Sequence, residues 1–298
     1  MLAEAERQTP DTVRSLYADT FREMRAAGYT AVGEFHYLGF EEALAAFDAA
    51  RVAGVELVLL YTAYARGGLE RFRQASATEY LADLERLREN GVRVGVAPHS
   101  VRACPPDWLA ELGRYAEREG LPLHVHADEQ QREVDECLAE HGLRPIELLA
   151  SAGCLGPCTT VVHATQASDA ELDLLAEAEA RVCLCPTTEA NLGDGFAPVQ
   201  RLCERGVGIC VGSDSNVRID PLEELREIDS IARRATGRRD AISLEALLAM
   251  GADEGGAALG LERWPEIEVD LTHQALHGVA PDCVLSAVVA GCGADVFV

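Results

Sequence analysis

The chain has 298 residues, 48% of them hydrophobic, and its 26 basic and 50 acidic residues give a formal net charge of −24. That length suits one large α/β domain, or one domain with a small appendage, and so negative a field repels nucleic acid and anionic membranes, so neither is expected as a partner. No lysine occurs, which excludes a Walker-type phosphate lysine, a Schiff-base lysine and a carbamylated lysine bridging two metals; one metal is expected, not two.

In chain order, residues 11–27 carry Val13, Leu16, Tyr17, Phe21 and Met24 at helical spacing. Asp11 stands as N-cap and Gly28 closes the helix. TAVGEFHY (30–37) reads as a strand, residues 40–54 as a helix ending at Gly54, and VELVLLYTAYARG (55–67) as a second strand. The alternation continues through helix 76–91, strand 92–102, helix 105–120 with prolines at its start, and the strand LPLHVHADEQ (121–130). One helix is expected from about 131 to 153, then the strand TTVVHATQ (159–166), a helix at 169–180, and RVCLCPTTEANLG (181–193) as a strand. Helix 197–206, the strand VGICVGSDSN (207–216) and a long helix at 221–235 complete the series, with a further helical stretch at 243–261.

Seven apolar strands, each followed by a helix, predict a parallel sheet wrapped by helices, and a TIM-type (β/α) barrel fits best. A doubly wound open sheet would need a glycine-rich phosphate loop after the first strand, and no G-x-G-x-x-G stands there. Since a closed barrel has eight strands, the chain reads as strands 2 to 8 over residues 1–261, with its first strand missing in front. Residues 262–298 change character: EIEVDL and CVLSAVVAG read as short strands, a remnant of a small β domain.

Polar residues gather at the C-terminal strand ends, where barrel enzymes place their sites: Glu34 and His36, His99 and Arg102, His126 and Glu129, His163, Glu189 and Asn191, Asp214. Alternation puts His124 and His126 on one strand face, with Glu129 three residues beyond His126. An imidazole ligand beside a proton-moving carboxylate is the division of labour that metal-assisted hydrolysis needs. Glu189 and Asn191 read as loop-shaping, and His141, His273 and His277 as surface or loop residues. Of the ten cysteines, several, such as Cys183, Cys185 and Cys210, sit in apolar runs as small buried hydrophobes; Cys154 and Cys158 lack the second pair a zinc knuckle needs. A charged N-terminus without an apolar signal core predicts a cytoplasmic, reducing location.

HVHADE, VVHAT, TTEANLGDG and GSDSNV, in this order on successive strands, resemble the metal-dependent amidohydrolase superfamily and its deaminase branch. With GYTAVGEFHY and APHSVRA, they are most similar to the formimidoylglutamate deiminases of histidine degradation, over roughly residues 10–260. The resemblance implies release of ammonia from a C=N bond, one zinc ion per chain with iron(II) as the other candidate, a small anionic substrate and a homodimer. It implies His126 and Asp214 as metal ligands, and Glu129 as the acid and base that moves protons between water and the leaving nitrogen. His163 would polarise the water or the substrate, Asp214 would also take the water's proton, and Tyr37, His99 and Arg102 would hold the substrate. Arg102 also makes chemical sense alone, as a guanidinium fork for a carboxylate in an acidic protein.

The family's H-x-H pair from the first strand has no counterpart here, leaving two matched ligands where catalytic zinc normally takes three; His124 or His36 could complete the set. Two other readings stay open: a deaminase of the same superfamily acting on a purine, pterin or cytosine-like ring, and a non-catalytic truncated barrel.

Overall fold

The computed structural model describes residues 5–298; residues 1–4 of the charged N-terminal stretch lie outside them. Helix α1 (Pro10–Ala27) is capped by Thr9 and not Asp11: Pro10 fixes the first turn, and Thr9 and Thr12 bond each other's backbone N–H groups. Strand β1 (Ala31–His36), helix α2 (Phe40–Ala53), β2 (Glu56–Ala63), α3 (Ala77–Glu89), β3 (Val94–Pro98), α4 (Pro106–Glu119) and β4 (Leu123–Ala127) follow in the expected alternation. The helix expected over 131–153 is two, α5 (Gln131–His141) and α6 (Pro145–Ser151). Gly142, at φ 70°, and Pro145 break it, the first by a left-handed turn and the second by its missing N–H.

Then come β5 (Thr159–His163), α7 (Asp169–Glu177) and β6 (Arg181–Leu184). The strand expected over 181–193 ends early, because Pro186 opens a helix, α8 (Pro186–Leu192). Helix α9 (Val199–Glu204), β7 (Ile209–Val211), α10 (Pro221–Thr236), α11 (Leu244–Gly251) and α12 (Asp253–Ala258) complete the series.

All seven strands pair in parallel in the order β1 to β7, and helices cover the outer face. The sheet curls into a TIM-type half-barrel: the ring of Phe35 on β1 lies 4.3 Å from that of His126 on β4. Along β2, Leu57, Leu59 and Tyr61 join the large outer core, whereas Val58 and Leu60 face the lumen, as a period of two requires. Leu259 and Leu261, just beyond α12, pack on those lumen residues beside Trp264. Gly33 makes room, since a Cβ there would come within 2.5 Å of Leu259 Cδ2.

The C-terminal segment corrects one expectation. CVLSAVVAG is helical, α13 (Val284–Gly291), and the β character of residues 262–298 reduces to a single antiparallel bridge between Val269 and Phe297. Val288, Cys292 and Val296 bury themselves with Leu222 of α10, and Arg226 Nε donates to the Val289 carbonyl at 2.7 Å, satisfying the end of α13. Among the described residues no helix is long and apolar enough to cross a membrane.

Candidate active site

The site lies at the C-terminal rim, where β4, β5 and β7 each deliver one donor. His126, His163 and Asp214 present nitrogen and carboxylate atoms that all lie within 4.8 Å of one another, the two imidazoles buried and Asp214 exposed. His126 Nδ1–H donates to the carbonyl of His99 at 2.8 Å, which leaves Nε2 with a free lone pair. His163 Nδ1–H donates to Glu189 Oε1 at 3.3 Å, again freeing Nε2. His163 and Asp214 take left-handed backbone, φ 77° and 45°, sparsely populated for residues with a Cβ, so the surrounding packing must hold them there. Two oriented imidazoles and a carboxylate form a donor set suited to one divalent metal such as zinc.

Charges are distributed unevenly around these donors. Burial, and then the charge of His163, keeps the His126 pKa well below the usual imidazole value. Burial opposes a charged His163 too, but the Glu189 bond and the Glu129 charge outweigh it and raise its pKa. Glu129 sits between two partners: Oε1 lies 3.8 Å from His163 Nε2, and Oε2 accepts from Arg102 Nη2 at 3.2 Å. Below it, Glu133 is fully buried, and burial pushes its carboxyl up to about 6 although Arg102 pulls the other way. Arg66 fixes the loop carrying Arg102, donating from Nε to the Arg102 carbonyl at 2.8 Å while pairing with Glu140.

Tyr37, His99, Tyr64 and Phe72 form an aromatic wall beside the donors. The Tyr64 and His99 rings are 4.6 Å apart, Tyr37 lies 5.8 Å from both His99 and Phe72, and the His99 and His126 rings are 4.8 Å apart. Burial, and then the neighbouring His126 charge, pushes the His99 pKa well below the imidazole range.

The amidohydrolase family profile matches residues 2–269. The chain belongs to the amidohydrolase family. It is 36% identical over 247 residues to a formimidoylglutamate deiminase of Pseudomonas aeruginosa, a match covering 75% of this chain and 54% of that protein. It is also 31% identical over 260 residues to a 5-methylthioadenosine/S-adenosylhomocysteine deaminase of Haloarcula marismortui, covering 85% and 59% of the two chains. The chain thus spans little more than half the length of these two relatives. The crystal structure of an amidohydrolase from Brucella melitensis superposes with a TM-score of 0.86 at 30% identity, over 98% of this chain and 75% of that one.

Every candidate singled out in the sequence of this amidohydrolase, Tyr37, His99, Arg102, His126, Glu129, His163 and Asp214, lies at this one rim. His163, for which the resemblance implied polarising the water or the substrate, lies close enough to His126 and Asp214 to serve as a third donor. Neither spare histidine joins them. His124 Nε2 bonds the Ala258 carbonyl at 2.8 Å, and His36, fully buried, pairs through Nδ1 with Glu34 at 3.2 Å. Glu189 is not loop-shaping but buried, and binds both His163 and the Cys185 N–H. The signal for it was present in Pro186-Thr-Thr-Glu189, a proline at the first helical position with a glutamate three residues on.

Proposed function

We propose that this chain is the barrel of a hydrolytic deaminase acting on N-formimidoyl-L-glutamate, releasing ammonia and leaving N-formyl-L-glutamate. The observation that carries the reading is the line His163, Glu129, Arg102: a proton-transfer carboxylate with the donor cluster on one side and a guanidinium on the other. The relative from Pseudomonas aeruginosa supports this substrate class.

His126, His163 and Asp214 would hold one zinc or iron(II) ion, which supplies Lewis acidity and lowers the pKa of water toward neutrality. Glu129 takes a proton from the attacking water and returns it to the departing nitrogen, so that the C=N bond becomes C=O as ammonia leaves. Asp214 takes the second water proton, which also passes to the departing nitrogen, and Glu189 holds the His163 tautomer whose Nε2 faces the donor cluster. Arg102 takes a substrate carboxylate in its fork, and Tyr37 and His99 close the pocket beside it. The reading includes a homodimer in the cytoplasm, with no nucleic-acid or membrane partner.

One observation favours a second reading. The wall of Tyr37, Tyr64, Phe72 and His99 suits stacking against a heterocyclic base, and the relative from Haloarcula marismortui is an adenosine-type deaminase. Ammonia release from N-formimidoyl-L-glutamate and from 5′-methylthioadenosine, compared in wild type and Arg102→Met, separates the two. The first reading predicts a KM for the formimidoyl compound at least ~10-fold higher in the variant, from loss of a charge-assisted pair; an unchanged KM sinks it. Glu129→Gln should cost ~100-fold or more in kcat, and a non-catalytic barrel would show no turnover to lose.

A further inference from the structure

Arg102 and Glu133 each keep one buried polar atom without a hydrogen-bond partner, and the two atoms face each other. Arg102 Nε and Glu133 Oε1 form an ion pair at 3.6 Å, just beyond hydrogen-bond reach, with the Glu133 side chain wholly inaccessible to solvent. Leaving such groups unmade in a protein interior is costly. The other Glu133 oxygen is engaged, accepting the Glu129 N–H at 3.0 Å, so the carboxylate is anchored to the turn that carries Glu129. Arg102 meanwhile spends Nη2 on Glu129 Oε2, at 3.2 Å, so the fork that would take a substrate carboxylate is held by the proton-transfer carboxylate itself.

We propose that Glu133 is a positioning residue forming the second seat of a two-position Arg102. With no substrate bound, the guanidinium rests on Glu129; when a substrate carboxylate engages its Nη groups, Nε docks on Glu133 Oε1 and Glu129 is released for proton transfer. A movement of well under 1 Å brings Nε within ordinary hydrogen-bond distance, and the Arg66 bond to the Arg102 carbonyl keeps the backbone still while the side chain shifts. Capture of the substrate's acidic end thereby frees the carboxylate that acts on its other end. The inference rests on the reading above that the substrate carries a carboxylate.

N-formyl-L-glutamate, which carries the same carboxylates, is the probe, added to the full chain. Its Kd is measured by calorimetry, and the Arg102 Nε–H resonance is followed by ¹⁵N NMR, identified by its loss in Arg102→Met. Added probe should move that resonance downfield and slow its exchange with water in wild type. Glu133→Gln should abolish the shift and weaken binding by ~10-fold, the scale of one lost charge-assisted bond, with Glu133→Asp recovering part of both. A resonance unmoved by bound probe in wild type overturns the proposal without any variant, and so does an unaltered shift and Kd in Glu133→Gln. If wild type binds adenosine but not N-formyl-L-glutamate, the substrate reading itself fails and takes this inference with it.

Discussion

His163 shows most clearly how this site is assembled. Its φ of 77° is unfavourable by about 1–3 kcal/mol for a residue with a Cβ, and its ring is held by a carboxylate that makes no other side-chain bond: Glu189 Oε1 accepts from His163 and from the Cys185 N–H, while Oε2 is unpartnered. A carboxylate behind a donor imidazole fixes which nitrogen faces the metal and raises its basicity. Glu189→Gln should therefore weaken zinc affinity by ~10–100-fold with little change in melting temperature, measured by competition with a zinc chelator. An affinity equal to wild type would show that the bond does not orient the ring. Glu189 escaped the sequence reading because a polar loop explains such a residue equally well until Pro186 is recognised as the start of a helix. His126 and Glu129 were legible because period-two alternation and a short spacing fix them within one strand and its turn.

At the scale of elements, Glu224 of α10 ties that helix to α8. Its carboxylate accepts from Thr187 Oγ1 at 2.5 Å and from the Thr187 N–H at 3.1 Å. Burial, only partly offset by these bonds, raises its pKa from 4.5 to about 7. The folded state therefore binds this proton more tightly than the unfolded chain, so the contribution is full below the unfolded pKa and is lost as pH rises through the folded value. The loss between pH ~4.5 and ~7 amounts to roughly 3 kcal/mol, at about 1.4 kcal/mol per pKa unit. Glu224→Gln should flatten the stability profile over that window in urea titrations; an equally steep profile would place the proton elsewhere. Apolar runs bounded by glycine and proline revealed the strands. The same cue misread α13, since a short wholly apolar segment has no periodicity to separate strand from helix, and its helix is completed by Arg226 from a distant part of the chain.

For the whole molecule, the excess of 50 acidic over 26 basic residues makes compactness work against self-repulsion. Many arginines already sit in exposed pairs such as Arg22 with Asp19 and Arg132 with Glu136, and such pairs contribute little. Raising NaCl from ~0.1 to ~1 M, where the screening length shrinks from ~10 to ~3 Å, should raise the melting temperature by several degrees. A fall would mean that the ion pairs outweigh the repulsion. The barrel class was readable at this scale because strand and helix alternation is local. The lumen packing of Leu259, Leu261 and Trp264 was not, because it joins residues about 200 positions from β1 and β2.

Metal content per chain tests the account most directly, by elemental analysis of protein purified without added metal, in wild type and in His126→Ala, His163→Ala and Asp214→Ala. The arrangement of these three side chains predicts about one zinc or iron per wild-type chain and a loss of most of it in each variant. A wild type without metal, or variants that keep theirs, would contradict the assignment of this rim as a metal centre.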